Sequence, residues 1–244
     1  LIKQQNPASP SKLTEPKQNP EAAEIINKTK ETNQSMRNII FDFNGTMFQD
    51  TDKNIKAWSE FLRRHCGRYP TMEEFTKYIN GSPNPTIICH FLGNMPLEET
   101  WKYAEEKEEI YRELCLADRE RLVLTEGLET FLDWLCRHEV PINIATGADP
   151  GNLAFYRKHL GLDRWFDPEK IVVSDGTFPG KPAPDIYRIA AERIGVDLAE
   201  TIVIEDAMLG VRSAKAAGAG DIVGLCAIEE SGYLRTMPEV GTVI

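Results

Sequence analysis

The sequence predicts an α/β protein in which helices cover a parallel sheet and an all-helical segment is inserted after the first strand. Three observations lead to this fold class. An apolar run at residues 38–43 predicts a buried first strand. Residues 51–124 carry helical periodicity without a strand pattern. Residues 125–244 alternate between helical and short apolar patterns, which is typical of the β-α-β units that build parallel sheets.

Turn and capping signals divide the first half of the chain into elements. The pair Asn44-Gly45 ends the first strand, and Asp50 or Thr51 can cap the helix that follows. Gly67 ends this helix. Three further helices are predicted to begin at Thr71, at Pro83 or Pro85, and at Pro96. The last of them carries acidic residues that we interpret as a solvated surface, namely Glu98, Glu99, Glu105, Glu106, Glu108 and Glu109.

The second half of the chain predicts four pairs of a helix and a strand. Because parallel strands need crossover connections, we expect these helices on both faces of the sheet. The predicted helices cover residues 128–137, 152–159, 185–194 and 209–217. The predicted strands cover residues 141–145, 170–173, 201–204 and 221–225.

The domain organisation follows from these patterns. Residues 36–50 and 125–244 are predicted to form the core, and residues 51–124 a helical cap. Residues 1–35 hold four prolines and few large apolar side chains. Such a segment cannot bury enough surface to offset the entropy of ordering, so we expect it to be a disordered N-terminal extension.

Charge and cysteine usage exclude several functional classes. The net charge of −10 argues against nucleic-acid binding, because an acidic chain repels a phosphate backbone. No apolar run approaches the ~18 residues of a membrane helix. The five cysteines are scattered, which is typical of reduced thiols in the cytosol. We expect a monomeric cytoplasmic protein that binds neither nucleic acid nor membranes.

Polar groups follow four of the predicted strands, at the edge where open α/β sheets bind ligands. Each group has an ordinary alternative, such as a turn residue, a helix cap or a solvated lysine. Their joint occurrence at four strand ends favours a functional site. The groups are Asp42, Asn44, Gly45 and Thr46 after the first strand, Thr146 and Gly147, then Lys181, and finally Glu205 and Asp206.

This set of side chains fits a phosphoryl transfer assisted by Mg²⁺. Mg²⁺ prefers a few carboxylate oxygens together with the oxygens of a substrate phosphate, and Asp42, Asp206 and Glu205 can supply the carboxylates. With the cation bound, Asp42 can attack phosphorus and form an aspartyl-phosphate. Thr146 and nearby backbone N–H groups can hold phosphate oxygens, and Lys181 can neutralise developing charge.

Four segments together resemble the four motifs of the haloacid dehalogenase-like hydrolase superfamily in order and spacing. They are FDFNGT at 41–46, IATG at 144–147, GKPAPD at 180–185 and IEDAMLG at 204–210. The helical insert is similar to the C1 cap of the beta-phosphoglucomutase and phosphoglycolate phosphatase branch. The resemblance implies a Rossmann-like core and a mobile cap that closes over small phosphorylated metabolites.

The resemblance also implies roles for individual residues. Asp42 would be the nucleophile, and Mg²⁺ would be held by Asp42, the backbone carbonyl of Asn44 and Asp206, with help from Glu205. Thr146 and Lys181 would contact the phosphate. Further candidate substrate contacts are Gly45, Thr46, Gly147, Asn54 and Asn84.

Asn44 departs from the family pattern, which usually has there an aspartate that protonates the leaving group and then activates water. An amide does neither, and losing such a group slows turnover by roughly 10²–10⁴-fold. Asn54 and Asn84 stand at or near positions where relatives of the mutase group often carry a histidine and a phosphate-binding arginine.

We therefore predict a slow phosphatase of small phosphate monoesters, unless another cap residue compensates for Asn44. A sugar-phosphate mutase and a catalytically weak phosphometabolite-binding protein are the alternatives. A dehalogenase is disfavoured, because the pair Glu205-Asp206 suits a metal-dependent phosphate site.

Overall fold

A parallel sheet lies at the centre of the structure, a computed structural model that describes residues 38–80, 82–226 and 229–244. Its strands lie in the order β2-β1-β3-β4-β5. The strands are β1 Asn38–Phe41, β2 Ile142–Ile144, β3 Thr201–Glu205, β4 Asp221–Gly224 and β5 Thr242–Val243. The predicted α/β fold class is confirmed, whereas the prediction of disorder at residues 1–35 falls outside the described residues.

The segment inserted after β1 is helical, as the sequence predicts. Its helices are α1 Thr51–Cys66, α2 Met72–Glu74, α3 Asn84–Leu92 and α4 Leu97–Ala117. A π-helical turn, Phe75–Ile79, continues α2. Thr71 caps α2 as predicted, since its Oγ1 accepts the backbone N–H of Glu74 at 3.1 Å. The division of the chain into a cap at 51–124 and a core stays a prediction.

The remaining helices alternate with the strands. They are α5 Leu128–Arg137, α6 Pro150–Leu160, α7 Asp185–Ile194 and α8 Met208–Ala217. Short 3₁₀ turns are Arg119–Arg121, Leu162–Arg164, Leu198–Glu200 and Glu229–Thr236. Within the described residues, no helix combines the length and the apolar content needed to cross a membrane.

β1 is buried on both faces of the sheet. Ile39 and Phe41 pack into one hydrophobic cluster, and Ile40 packs into a second one. This is expected, because successive side chains of a strand point to opposite faces. Burying an aliphatic or aromatic side chain contributes about 1.5–3 kcal/mol, so β1 holds the residue that follows it, Asp42, in a fixed position.

The prediction of a strand at residues 170–173 is wrong. It is reduced to one parallel bridge between Ala145 and Val172. The backbone carbonyl of Lys170 accepts the Asn143 side-chain amide at 2.9 Å, and that of Ile171 accepts the Arg193 guanidinium at 2.6 Å. The Asn143 side chain thus takes the Lys170 carbonyl, and its Oδ1 accepts the Ile144 N–H that this carbonyl would accept in a continuous ladder. The short β5 was not predicted.

Strand register brings the ends of three strands to the same level. Phe41 pairs with Ile144 on β2 and with Ile204 on β3. The residues that follow these positions therefore meet at one edge of the sheet, which is where the sequence places the candidate site.

Candidate active site

Three carboxylates gather at the carboxyl edge of the sheet. Asp42 directly follows β1, Glu205 is the last residue of β3, and Asp206 follows it. One oxygen of each lies within 4.8 Å of the others. Carboxylates at this spacing fit a divalent cation that prefers oxygen ligands. The three predicted carboxylate ligands are therefore brought together.

The Lys181 ammonium bridges two of these carboxylates. Its Nζ donates to Asp42 Oδ1 and to Glu205 Oε1, at 2.5 Å in each case. The Tyr187 hydroxyl donates to the same Glu205 oxygen at 2.8 Å, and the other Glu205 oxygen accepts two backbone N–H groups of the following turn. Glu205 thus anchors Lys181. By contrast, Asp42 Oδ2 and Asp206 Oδ2 accept no hydrogen bond from the part of the chain that the structure describes.

Burial and crowding disfavour the ionised forms of two of the carboxylates. Burial raises the pKa of Asp42 to about 7, opposed by the Lys181 ammonium and assisted by the Glu205 carboxylate. Burial and the negative charges of Glu205 and Asp42 raise the pKa of Asp206 well above its usual range. A divalent cation would reverse both effects, because it stabilises ionised carboxylates. The donor set therefore fits the predicted Mg²⁺.

Two glycines allow the backbone to approach these carboxylates. Gly45 has a φ angle of 79°, and a Cβ there would lie 2.2 Å from Asp206 Oδ2. A Cβ at Gly210 on α8 would lie 1.6 Å from Glu205 Oε1. The Thr46 hydroxyl donates to Asp206 Oδ1 at 3.2 Å. The predicted contacts Gly45 and Thr46 are thus both placed against Asp206.

The Asn44 amide belongs to a buried hydrogen-bond network. Its Nδ2 donates to Asp50 Oδ2 at 2.6 Å and to the Tyr156 hydroxyl at 2.8 Å. Asp50 also accepts the Gly45 N–H at 3.0 Å and the Tyr111 hydroxyl. Asp50 is 1% exposed, and burial raises its pKa. A buried carboxylate therefore lies one hydrogen bond away from the Asn44 amide.

The structure corrects the role of the Asp50 side chain. Asp50 occupies the N-cap position of α1, but its carboxylate accepts no hydrogen bond from the first turn of that helix. Its oxygens are occupied by the network around the 44–45 turn instead. The sequence carries no signal for this network, because its tyrosines come from α4 and α6.

Thr146 lies at the end of β2, beside Asn44. Its Oγ1 is 3.4 Å from Asn44 Oδ1 and accepts the Ala148 N–H at 3.1 Å. Thr146 does not cap α6, because Asp149 does so. The hydroxyl is thus held in the loop between β2 and α6.

A cavity of about 130 Å³ adjoins the carboxylates. It has room for a small metabolite, since a single water needs only about 10–15 Å³ on this measure. Thr46 and Thr146 are buried behind its walls and do not line it. The predicted site residues that do line it are Asp42, Asn44, Gly45, Asn54, Asn84, Gly147, Lys181, Glu205 and Asp206.

The inserted helices and the sheet edge touch at the wall of this cavity. Pro83, which precedes α3, and Gly180, which precedes Lys181, both line it. A Cβ at Gly180 would lie only 2.3 Å from Pro83 Cγ. Residue 180 therefore has no space for a side chain while Pro83 stays in place.

The inserted helices also contribute a buried polar cluster that the sequence did not predict. Lys107 and Glu108 on α4 are 3% and 4% exposed and line the cavity. Glu108 Oε1 accepts Lys107 Nζ at 2.9 Å and Asn84 Nδ2 at 2.7 Å, and its Oε2 accepts Asn152 Nδ2 at 2.7 Å. Lys107 Nζ also donates to Asn54 Oδ1 at 2.7 Å.

The interpretation of Glu108 as part of a solvated surface is wrong. Helical spacing places it on the face of the buried Ala104 and Tyr111, four residues before it and three after it, and this signal could have identified it. Burial would raise the pKa of Glu108, but the Lys107 ammonium and the hydrogen-bonding amides lower it below the ordinary value. Glu108 is therefore a buried, ionised and fully paired carboxylate.

Comparisons with known proteins agree with this geometry. A family model described as haloacid dehalogenase-like hydrolase matches residues 36–218. The chain is 32% identical to fructose-1-phosphate phosphatase YqaB from Escherichia coli (strain K12), over 74% of this chain and 92% of that protein. It is 29% identical to hexitol phosphatase A from the same organism, over 75% of this chain and 80% of that protein.

One similar solved structure has a sequence identity close to that of the Escherichia coli relatives. HAD hydrolase, family IA, variant 3, from Entamoeba histolytica HM-1:IMSS is 36% identical and has a TM-score of 0.77, covering 86% of this chain and 92% of that chain. Together with the matched family model and the strand-end residues, this establishes that the chain belongs to the haloacid dehalogenase-like hydrolase family.

Proposed function

We propose that this chain is a Mg²⁺-dependent hydrolase of small phosphate monoesters that acts through an aspartyl-phosphate on Asp42. The observation that carries the proposal is the Asp42 carboxylate. Lys181 holds its Oδ1 at 2.5 Å, and its Oδ2 accepts no hydrogen bond from any described residue. The phosphatase names of the two Escherichia coli relatives support this reaction class and a phosphorylated carbohydrate as substrate.

The reaction proceeds in two steps. Asp42 Oδ2 attacks phosphorus, the ester P–O bond breaks, and the leaving alkoxide takes a proton from a water molecule. Water then attacks the acyl phosphate, which releases inorganic phosphate and restores the carboxylate. Lys181 offsets negative charge on the attacking carboxylate and on the transferring group. Mg²⁺ held by Asp42, Asp206 and the Asn44 carbonyl would neutralise phosphate oxygens and favour the ionised nucleophile.

We propose that Asn44 makes this turnover slow for ordinary alkyl esters. Its amide cannot supply the proton that an alkoxide needs. Aryl and acyl phosphates, whose leaving groups need no protonation, would be hydrolysed best. The proposed contact of the phosphate oxygens in the loop after β2 is Gly147, which lines the cavity. The Thr146 hydroxyl, which was predicted to share this contact, is held behind the wall by Asn44 and the Ala148 N–H.

Release of p-nitrophenol from p-nitrophenyl phosphate tests the proposal. We expect activity with Mg²⁺ that falls by at least about 100-fold after chelation or in Asp42→Asn, because either change removes the ionised nucleophile or its cation. Asp167→Asn, an exposed aspartate elsewhere in the chain, is the matched control and should match wild type. A wild-type rate no higher than that of Asp42→Asn would contradict the proposal and favour the binding-protein alternative.

A further inference from the structure

The Tyr233 hydroxyl closes the turn that carries Asp206. It donates to the backbone carbonyl of Asp206 at 3.0 Å and accepts the backbone N–H of Met208 at 3.1 Å. One side-chain oxygen thus spans the three residues between the end of β3 and the start of α8. Tyr233 lies outside residues 36–218, which the family model matches, so the family match does not account for this contact.

The N-terminus of α8 depends on acceptors from other parts of the chain. Its N-cap residue is Ala207, whose side chain makes no capping hydrogen bond. Glu205 Oε2 accepts the N–H groups of Asp206 and Ala207, at 3.0 Å in each case, and Tyr233 accepts that of Met208. Because the first N–H groups of a helix have no partner within it, Tyr233 supplies an acceptor that the local sequence lacks.

The Asp206 carboxylate itself is held by few contacts. Its Oδ1 accepts the Thr46 hydroxyl at 3.2 Å, which is long for a hydrogen bond between two oxygens. Its Oδ2 accepts none from residues 38–80, 82–226 and 229–244. The direction of this carboxylate therefore depends mainly on the backbone from which it projects, and Tyr233 fixes that backbone at its carbonyl.

The segment that carries Tyr233 is anchored on the sheet. Leu234 is fully buried in the second hydrophobic cluster, against which Tyr233, Met237 and Val240 also pack. The chain then returns to the sheet, where β5 pairs with β4. The hydroxyl is thus presented to the Asp206 turn from a packed segment, which limits how far it can move.

We propose that Tyr233 is a positioning residue for the divalent cation. Its two hydrogen bonds keep the Asp206 carboxylate directed towards Asp42 and Glu205, with one oxygen of each within 4.8 Å of the others. Loss of the hydroxyl frees the turn, so that cation binding has to order it again. This inference rests on the proposed function, which supplies the cation, and it extends the metal site to the last part of the chain.

A solely structural role is the competing explanation, since the same hydroxyl would also dock the C-terminal segment against α8. A docking role lowers the free energy of unfolding and leaves the dissociation constant of a metal ion unchanged. A positioning role raises this dissociation constant, and excess cation then restores the rate of hydrolysis.

Titration with Mn²⁺, followed by electron paramagnetic resonance of the free ion, tests the proposal without substrate. Mn²⁺ takes the same oxygen ligands as Mg²⁺, and Mg²⁺ is added as a competitor. We expect the Kd of both ions to rise at least about fivefold in Tyr233→Phe, because groups that orient metal ligands act on affinity. The Mg²⁺ concentration for half-maximal hydrolysis should rise by the same factor, with kcat at saturating Mg²⁺ kept within about twofold.

Tyr103→Phe is the matched control. It removes the hydroxyl from another half-buried tyrosine, whose ring packs against Phe61 and His65 on the inserted helices. This variant should keep the wild-type Kd for both ions.

The outcomes separate this inference from the proposed function. An unchanged Kd in Tyr233→Phe, or a loss of kcat that excess Mg²⁺ does not restore, overturns the positioning role even if wild type hydrolyses p-nitrophenyl phosphate. A raised Kd in a chain whose wild type hydrolyses nothing supports the positioning role and overturns the hydrolase. Wild type that binds neither ion overturns both.

A second measurement covers the case in which Tyr233→Phe is less stable. The free energy of unfolding is measured in denaturant with and without MgCl₂. The stabilisation by a bound ion depends on its concentration and its Kd, and not on the starting stability. A smaller stabilisation by Mg²⁺ in Tyr233→Phe than in wild type supports the proposal, and an equal one overturns it.

Discussion

Asn44 and Asp50 are joined by a 2.6 Å hydrogen bond, so a carboxylate lies beside the amide that we propose stands at the acid–base position. Asn44→Asp would place a second carboxyl within hydrogen-bond distance of Asp50. Two carboxyls so close share a proton, and a shared proton is available to a leaving group. We expect kcat for alkyl phosphate monoesters to rise at least about tenfold.

Phosphate release from wild type and Asn44→Asp, measured side by side, checks this expectation. The double variant Asp42→Asn/Asn44→Asp is the control, because it keeps the new carboxyl but lacks the nucleophile. An unchanged kcat in a folded Asn44→Asp protein would mean that residue 44 does not lie at the acid–base position.

Glu108 provides a prediction about stability and pH. Its pKa in the folded protein is lowered from 4.5, because Lys107 and two amides outweigh the effect of burial. Its ionised form therefore stabilises the fold above the unfolded pKa, and this contribution is lost as the pH falls through the lowered folded pKa. The difference in free energy of unfolding between wild type and Glu108→Gln should be largest near neutral pH and shrink in acid.

Denaturant unfolding at several pH values measures this difference. Glu109→Gln removes the same charge from the exposed neighbouring position and should change stability by less than about 0.5 kcal/mol. A gap between wild type and Glu108→Gln that widens in acid would show that the carboxylate is not held in its ionised form.

The sequence predicted those site residues that follow strands. Asp42, Glu205 and Asp206 were identified because parallel strands end at a common edge. Lys107 and Asn152 were missed, because α4 and α6 meet only in the folded chain. The sequence thus predicted the site residues that the order of the parallel strands alone brings close together.

At the scale of elements, the turn after β1 depends on Gly45. Gly45→Ala would place a methyl group 2.2 Å from Asp206 Oδ2 at a φ angle of 79°. We expect it to abolish Mg²⁺-dependent activity and to lower the free energy of unfolding by more than about 2 kcal/mol, since strain and a steric clash add. Activity and denaturant unfolding measure the two effects.

Gly67→Ala separates strain from steric clash. Gly67 ends α1 with a φ angle of 70°, but a Cβ there would meet nothing within 4 Å. We expect a loss of about 1 kcal/mol with activity retained. If both alanine variants behaved alike, the contact with Asp206 would have no special importance.

The bounds of elements were predictable where local signals agree. The bounds of α5 and α7 match the predicted ranges, because each combines an apolar face with a clear end. The strand predicted at residues 170–173 failed, since the Asn143 side chain takes both the Lys170 carbonyl and the Ile144 N–H, which a ladder would pair. Asn143 lies more than twenty residues before Lys170, so a short apolar run could not reveal this contact.

At the scale of the whole molecule, the sequence predicted the order of the α-helices and of strands β1 to β4, apart from the extra strand at residues 170–173, and the helical insertion after β1. The packing of the inserted helices against the sheet edge could not be predicted. It depends on contacts such as Asn84 to Glu108 and Glu108 to Asn152, which join three helices across long stretches of chain. The residues at the strand ends were therefore foreseeable, while the part of the cavity wall that the inserted helices form was not.

The close approach of Pro83 to Gly180 lets two parts of the chain meet without a side chain at residue 180 between them. A methyl group there would have to move Pro83 from 2.3 Å to at least the 3.4 Å of ordinary contact. Such a substitution would push the start of α3 away from the loop that carries Lys181. The fit of the inserted helices against this loop thus depends on one missing side chain.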